Sequence, residues 1–137
     1  MKGKIVRIIS NLYTVETEDG SIIGCRARGK FRNCSITPLV GDYCEIDLDN
    51  GYIMKMLPRK NSLLRPQIAN VDVALIVTSV KKPNLSLNLL DKMISIVTLH
   101  QIEPVLCFTK LDLLTKNEKK EMQALIKYYK TIGYKVI

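Results

Sequence analysis

The spacing of apolar positions changes character once along the chain, near residue 65. Before it, short runs rich in β-forming residues stand at 4–9, 12–15, 21–28 and 52–57, and the run at 42–47 alternates apolar and charged residues. Asn11, Asp19-Gly20 and Asp49-Asn-Gly51 punctuate these runs. A period of two puts successive side chains on opposite faces of a strand, and Asn and Gly supply the positive φ that tight hairpins need. The pattern predicts five short strands, with one longer loop over residues 29–38 between the third and the fourth.

Five such strands in so short a stretch suit a small closed barrel. The OB-fold is the commonest five-stranded solution and binds oligonucleotides across one face; an SH3-like barrel is the alternative.

After residue 65 the period switches. Residues 71–79 form a nearly continuous apolar run, the mark of a parallel strand covered on both faces. Leu87, Leu90, Ile94 and Val97 then recur at helical spacing as far as His100. Residues 104–108 read as a second buried strand. Thr115-Lys-Asn-Glu118 has the form of a capping box, opening a helix that carries Met122, Leu125, Ile126 and Tyr129 and closes near Gly133. Residues 134–137 begin a third strand. The order β-α-β-α-β predicts an α/β parallel sheet with right-handed crossovers. Two domains are expected, 1–65 and 66–137, joined by a strap at 61–66 that Pro66 stiffens. Open α/β sheets usually carry more strands than three, so the chain is expected to be the first part of a longer protein.

Composition adds a charge. The 137 residues are 47% hydrophobic and 25% charged, the balance of a folded protein. The net charge of +8 favours polyanionic partners: nucleic acid, nucleotide phosphates or an anionic surface. All six arginines lie in the first 65 residues, where a planar guanidinium suits phosphate and base recognition; beyond Arg65 every basic residue is a lysine. No apolar run approaches the ~20 residues of a membrane-spanning helix, and the first residues lack a signal-peptide core. A cytoplasmic protein with no membrane partner is expected. Cys25, Cys34, Cys44 and Cys107 are widely spaced and His100 is the only histidine, so no zinc pattern is present and the thiols are expected as small apolar fillers.

Candidate chemistry falls in two places. Directly after the strand at 104–108 stands Thr109-Lys110-Leu111-Asp112, in the form of the [N/T]-K-x-D element by which guanine-nucleotide proteins read the base. Guanine presents adjacent N1–H and N2–H donors, which one fixed carboxylate can accept together; adenine would leave Asp112 unpaired. Lys110 would lay its stem along the purine, and Thr109 would tether the loop. The plainer alternative is a polar loop with Asp112 beside a helix N-terminus. The second place is Arg26-Ala-Arg28-Gly-Lys30-Phe31-Arg32, four basic residues with an aromatic and no acid, suited to tracking a phosphate backbone and stacking a base on Phe31. Its alternative is a solvated basic loop with Phe31 tucked into the barrel. No His/Cys or His/Asp pairing suggests a catalytic group. The phosphate-cradling pattern G-x-x-x-x-G-K-[ST] does not occur, although in an ordinary GTPase it precedes the base-reading loop.

One family places the base-reading loop first. The chain resembles the N-terminal part of the ribosome-small-subunit-dependent GTPase A family, circularly permuted ribosome-biogenesis GTPases. The likeness runs through the Arg26–Arg32 segment, Pro38-Leu-Val-Gly-Asp42, Asp49-Asn-Gly-Tyr-Ile53, Leu57-Pro-Arg-Lys-Asn61, Leu64-Arg-Pro66, Ala69-Asn-Val-Asp72, Leu89-Leu-Asp-Lys92 and Thr109-Lys-Leu-Asp112. The resemblance implies a five-stranded OB-fold barrel followed by the first β-α-β-α-β portion of a circularly permuted P-loop GTPase domain. It implies guanine contacts by Thr109, Lys110, Leu111 and Asp112, and small-subunit rRNA as the partner of the barrel, with Arg26, Arg28, Lys30, Phe31 and Arg32 the residues expected to touch it. It also implies a monomer that takes GTP and GDP, hydrolyses GTP on stimulation by the small ribosomal subunit, and acts late in that subunit's assembly. Mg²⁺ and a structural Zn²⁺ are implied for the intact protein, with ligands outside these 137 residues, as are the catalytic groups. The chain alone is therefore expected to be inactive. Thr109 stands where the family usually has Asn. Two other readings remain: a stand-alone RNA-binding OB module with a non-catalytic α/β appendage, and a fragment whose sheet a separate chain completes.

Overall fold

The computed structural model describes residues 1–28 and 36–137. The chain divides into two compact units, Met1–Val71 and Asp72–Ile137.

In the first unit, strands β1 (Lys2–Ile9), β2 (Leu12–Thr17), β3 (Ile22–Ala27), β4 (Tyr43–Asp47) and β5 (Tyr52–Met56) close into a barrel in the order β1-β2-β3-β5-β4. Every neighbouring pair is antiparallel except β3 with β5, the strand order of an OB-fold. Inward-facing positions of these strands supply the core: Ile5, Val15, Cys25, Cys44 and Ile53 are fully buried, with Ile46 beside them. Cys25 and Cys44 serve as small apolar residues, and burial pushes the Cys44 thiol up to about 11.

Residues 61–66 differ from the expected strap. Ser62–Leu63 (β6) and Ile68–Ala69 (β7) pair antiparallel, folding the segment back onto the first unit. The Asn61 side chain spans this hairpin's base, donating to the Val71 carbonyl at 2.7 Å and accepting from the Val71 N–H at 2.8 Å. Asn70 donates to the Gly41 carbonyl at 3.0 Å. These side-chain-to-backbone bonds bring residues 61–71 into the first unit, so the division falls after Val71 rather than after residue 65. Gly41 allows the approach: its φ is +94°, and a Cβ there would stand 2.0 Å from the Ala69 carbonyl oxygen.

The second unit alternates β8 (Val73–Ser79), α1 (Leu87–Leu99), β9 (Glu103–Thr109), α2 (Lys116–Thr131) and β10 (Lys135–Val136), with a single 3₁₀ turn at Leu111–Leu113. The sheet is parallel in the order β10-β9-β8, with Val73 opposite Glu103 and Ser79 opposite Thr109. Ser86 caps α1, and Thr115 with Glu118 completes both halves of the capping box at α2. Leu90, Ile94 and Val97 of α1 and Met122 and Tyr129 of α2 are buried, as are Ile76, Leu106 and Phe108 of the sheet. Two right-handed crossovers running the same way along a sheet lay both helices on one face. The other face is open: Val73, Leu75 and Val77 are 49%, 52% and 59% exposed. The apolar run of β8 was expected to be covered on both faces; within this chain it is covered on one.

Candidate functional site

The carboxyl ends of β8 and β9 lie side by side, where open α/β sheets take their ligands. Thr109 is the last residue of β9. Its hydroxyl donates to the Thr78 carbonyl on β8 at 3.4 Å, a long tether across the strand pair. Lys110 follows in the left-handed region at φ +62°, which turns the chain out of the sheet and into the 3₁₀ turn that holds Leu111 and Asp112. The Lys110 ammonium donates to the Lys82 carbonyl in the loop after β8. Asp112 is exposed and makes no hydrogen bond or ion pair with any described residue. A carboxylate held on a tight turn with both oxygens unpaired can take two parallel N–H donors.

A second tie holds the same loops. Lys81 donates to both carboxylate oxygens of Glu118 at 2.9 Å. Glu118 also accepts from the Thr115 N–H at 2.7 Å, so one carboxylate joins the β8–α1 loop to the start of α2. The Thr115 N–H, then Lys81, hold the Glu118 carboxyl below its usual range. Thr115-Lys-Asn-Glu118 announced the capping half of this arrangement. The Lys81 half joins residues 37 apart and has no local signal in the sequence.

In the barrel, Arg26 sits on β3 opposite Tyr52 of β5. The guanidinium of Arg28 lies over the Tyr52 ring, 5.6 Å from its centroid, and its charge helps to hold the Asp47 carboxyl low, behind the larger effect of Asn50. Lys30, Phe31 and Arg32 lie outside the described residues. An open cleft of about 690 Å³ runs beside Arg26 and Arg28, walled by Ile9, Leu12, Tyr13 and Ile36. Ile9 and Leu12 are 52% and 49% exposed, apolar surface next to fixed positive charge.

Among the described residues no group of three or more His, Cys, Asp or Glu side chains is placed to hold a metal ion. No helix among the described residues is long and apolar enough to cross a membrane.

Comparison with known proteins covers nearly the whole chain. Residues 2–53 match the sequence family described as RsgA N-terminal domain, and residues 56–137 match that described as RsgA GTPase. The chain is 50% identical over 140 residues to the small ribosomal subunit biogenesis GTPase RsgA of Caldanaerobacter subterraneus subsp. tengcongensis, covering 100% of this chain and 46% of that protein. Against the small ribosomal subunit biogenesis GTPase RsgA 2 of Listeria innocua it is 42% identical over 139 residues, covering 99% and 47%. The crystal structure of YjeQ from Thermotoga maritima aligns with a TM-score of 0.89 at 34% identity, over 99% of this chain and 50% of that one. That of YloQ, described as a circularly permuted GTPase, gives 0.83 at 42% identity, over 98% and 50%. The chain spans about half the length of these relatives. With an OB barrel followed by the opening β-α-β-α-β elements of a P-loop GTPase, and matches across both, the chain belongs to the RsgA GTPase family.

Proposed function

We propose that this chain carries the RNA-binding and guanine-reading parts of a GTP-hydrolysing factor for late assembly of the small ribosomal subunit. The observation that carries the reading is the Thr109–Asp112 turn: it sits at the ligand end of a parallel sheet with the Asp112 carboxylate unpaired and exposed. Asp112 accepts N1–H and N2–H of guanine. Lys110 spreads its methylene stem along the purine plane while its ammonium stays on the Lys82 carbonyl. Thr109 holds the turn to β8 through Thr78. The phosphate cradle, which supplies most of the catalysis in phosphoryl transfer, has no counterpart in these residues, so the chain orients the nucleotide and the full-length protein hydrolyses it. The barrel brings the factor to rRNA through Arg26, Arg28, Lys30, Phe31 and Arg32.

Phosphate release by the full-length protein, with and without small ribosomal subunits, tests the reading. Turnover should rise with subunits present, and the 137-residue chain should release none. A full-length protein that neither hydrolyses GTP nor binds the subunit overturns it, and so does multiple turnover by the isolated chain.

A further inference from the structure

Helix α2 carries five lysines and two glutamates. At about 100° per residue, Lys116, Lys119, Lys120, Lys127 and Lys130 fall within an arc of roughly 100°, over about 21 Å of helix. All five are exposed, and none forms an ion pair with a described residue. Glu118 and Glu121 lie off the arc, and Glu118 is engaged by Lys81 and the Thr115 N–H.

This placement works against the helix. Neither glutamate stands three or four residues from a lysine, so α2 has no stabilising ion pair along its own surface, while Lys116–Lys119, Lys116–Lys120 and Lys127–Lys130 are like-charge pairs at those spacings. Lys116, Lys119 and Lys120 also crowd the N-terminal part of the helix, whose dipole favours acids; only Lys130 lies in the last turn, where a cation is welcome. A helix shaped for stability alone would interleave glutamates here. Local choices that oppose the fold mark surfaces kept for another purpose.

We infer that the lysine arc of α2 is a second RNA-docking surface, gripping the phosphate backbone of ribosomal RNA separately from the barrel. This rests on the assembly-factor reading above. Charge complementarity selects the partner: a cationic row of this length, with only the neutral Gln123 on the arc between Lys120 and Lys127, suits phosphates spaced along one strand. Lysine ammonium groups act on phosphates as point charges and lack arginine's bidentate fork for bases, so the contact reads no sequence.

The test uses the full-length protein and purified small ribosomal subunits. Replacing Lys119, Lys120 and Lys127 with Gln keeps helix propensity and removes three charges. Subunit affinity should fall about tenfold or more, and the log–log salt slope should shrink by about 2 to 3. GTP affinity should stay unchanged and the melting temperature should hold or rise, because repulsion has been relieved. Lys127→Gln with Lys130→Gln repeats the test at the other end of the arc. If Arg26→Ala/Arg28→Ala lowers affinity and slope while both lysine variants match wild type, the α2 surface is overturned and the barrel reading stands. Wild-type protein that does not bind subunits overturns both. Wild-type binding to vesicles with about a third phosphatidylserine, lost in the lysine variants while subunit binding is kept, overturns RNA in favour of a lipid surface.

Discussion

Arg59 closes on Asp42 with both arms of its guanidinium, Nε to Oδ1 at 2.6 Å and Nη2 to Oδ2 at 2.7 Å. Asp42 is fully buried at the start of β4, and it also accepts from the Leu39 N–H at 2.7 Å. Arg59 donates on to the Thr37 carbonyl at 2.5 Å. The pair thus fixes residues 37–42, the chain that leads from the basic segment back into the barrel. Arg59→Met would leave a buried carboxylate without its counter-charge and should destabilise the chain by about 3 kcal/mol. Urea unfolding of residues 1–137 reads this directly, and Asp42→Asn, which keeps an acceptor for Leu39 and removes the charge, should cost less than Arg59→Met.

Gly41, next to that carboxylate, tests the hairpin's closure on the barrel. Gly41→Ala must place a methyl against the Ala69 carbonyl in a left-handed backbone, so a loss of about 2 kcal/mol or more is expected. Gly20→Ala shares the positive φ with open space around it and separates strain from collision: it should cost clearly less.

Glu118 supplies a pH dependence. Its carboxyl is held low in the folded chain by the Thr115 N–H and then by Lys81. A depressed folded value means that the unfolded chain binds the proton first as pH falls. The stabilisation is therefore whole above the ordinary glutamate value of about 4.3 and is lost as pH drops through the lowered folded one. Glu118→Gln keeps an oxygen for the cap and should flatten the acid limb of stability against pH. Asp19 and Asp47, also held low, should keep their share of that limb.

Much of this fold was legible because its signals are local. β-rich runs, the alternation at 42–47 and turn residues placed all five barrel strands, and helical spacing with the Thr115–Glu118 box placed α2 almost to the residue. What escaped was long-range. Nothing near Asn61 announces that its amide will bridge Val71, so residues 61–66 read as a strap. The apolar run of β8 gave its parallel character correctly, but how many faces are covered depends on elements elsewhere. In the second unit the Thr109–Asp112 turn of the proposed guanine site is contiguous in the sequence, whereas Lys81–Glu118 exists only once the chain is folded; in the first unit the same holds for Arg59–Asp42.

Thr109 invites its own test. Its bond to Thr78 is long, and Asn in its place would exchange one loop tether for another, so Thr109→Asn in the full-length protein should change GTP affinity by less than about 1 kcal/mol. A large loss would assign the hydroxyl a direct nucleotide contact.

The account turns on Asp112, and nucleotide titration of Asp112→Asn in the full-length protein tests it most directly. The substitution replaces one acceptor oxygen with an NH₂ donor facing the guanine amino group. GTP should bind more weakly by roughly 2–4 kcal/mol, while xanthosine triphosphate, which offers a carbonyl at C2, should gain affinity. GTP binding as tight as wild type, with no gain for xanthosine triphosphate, would reduce Thr109–Asp112 to an ordinary βα turn and contradict the account.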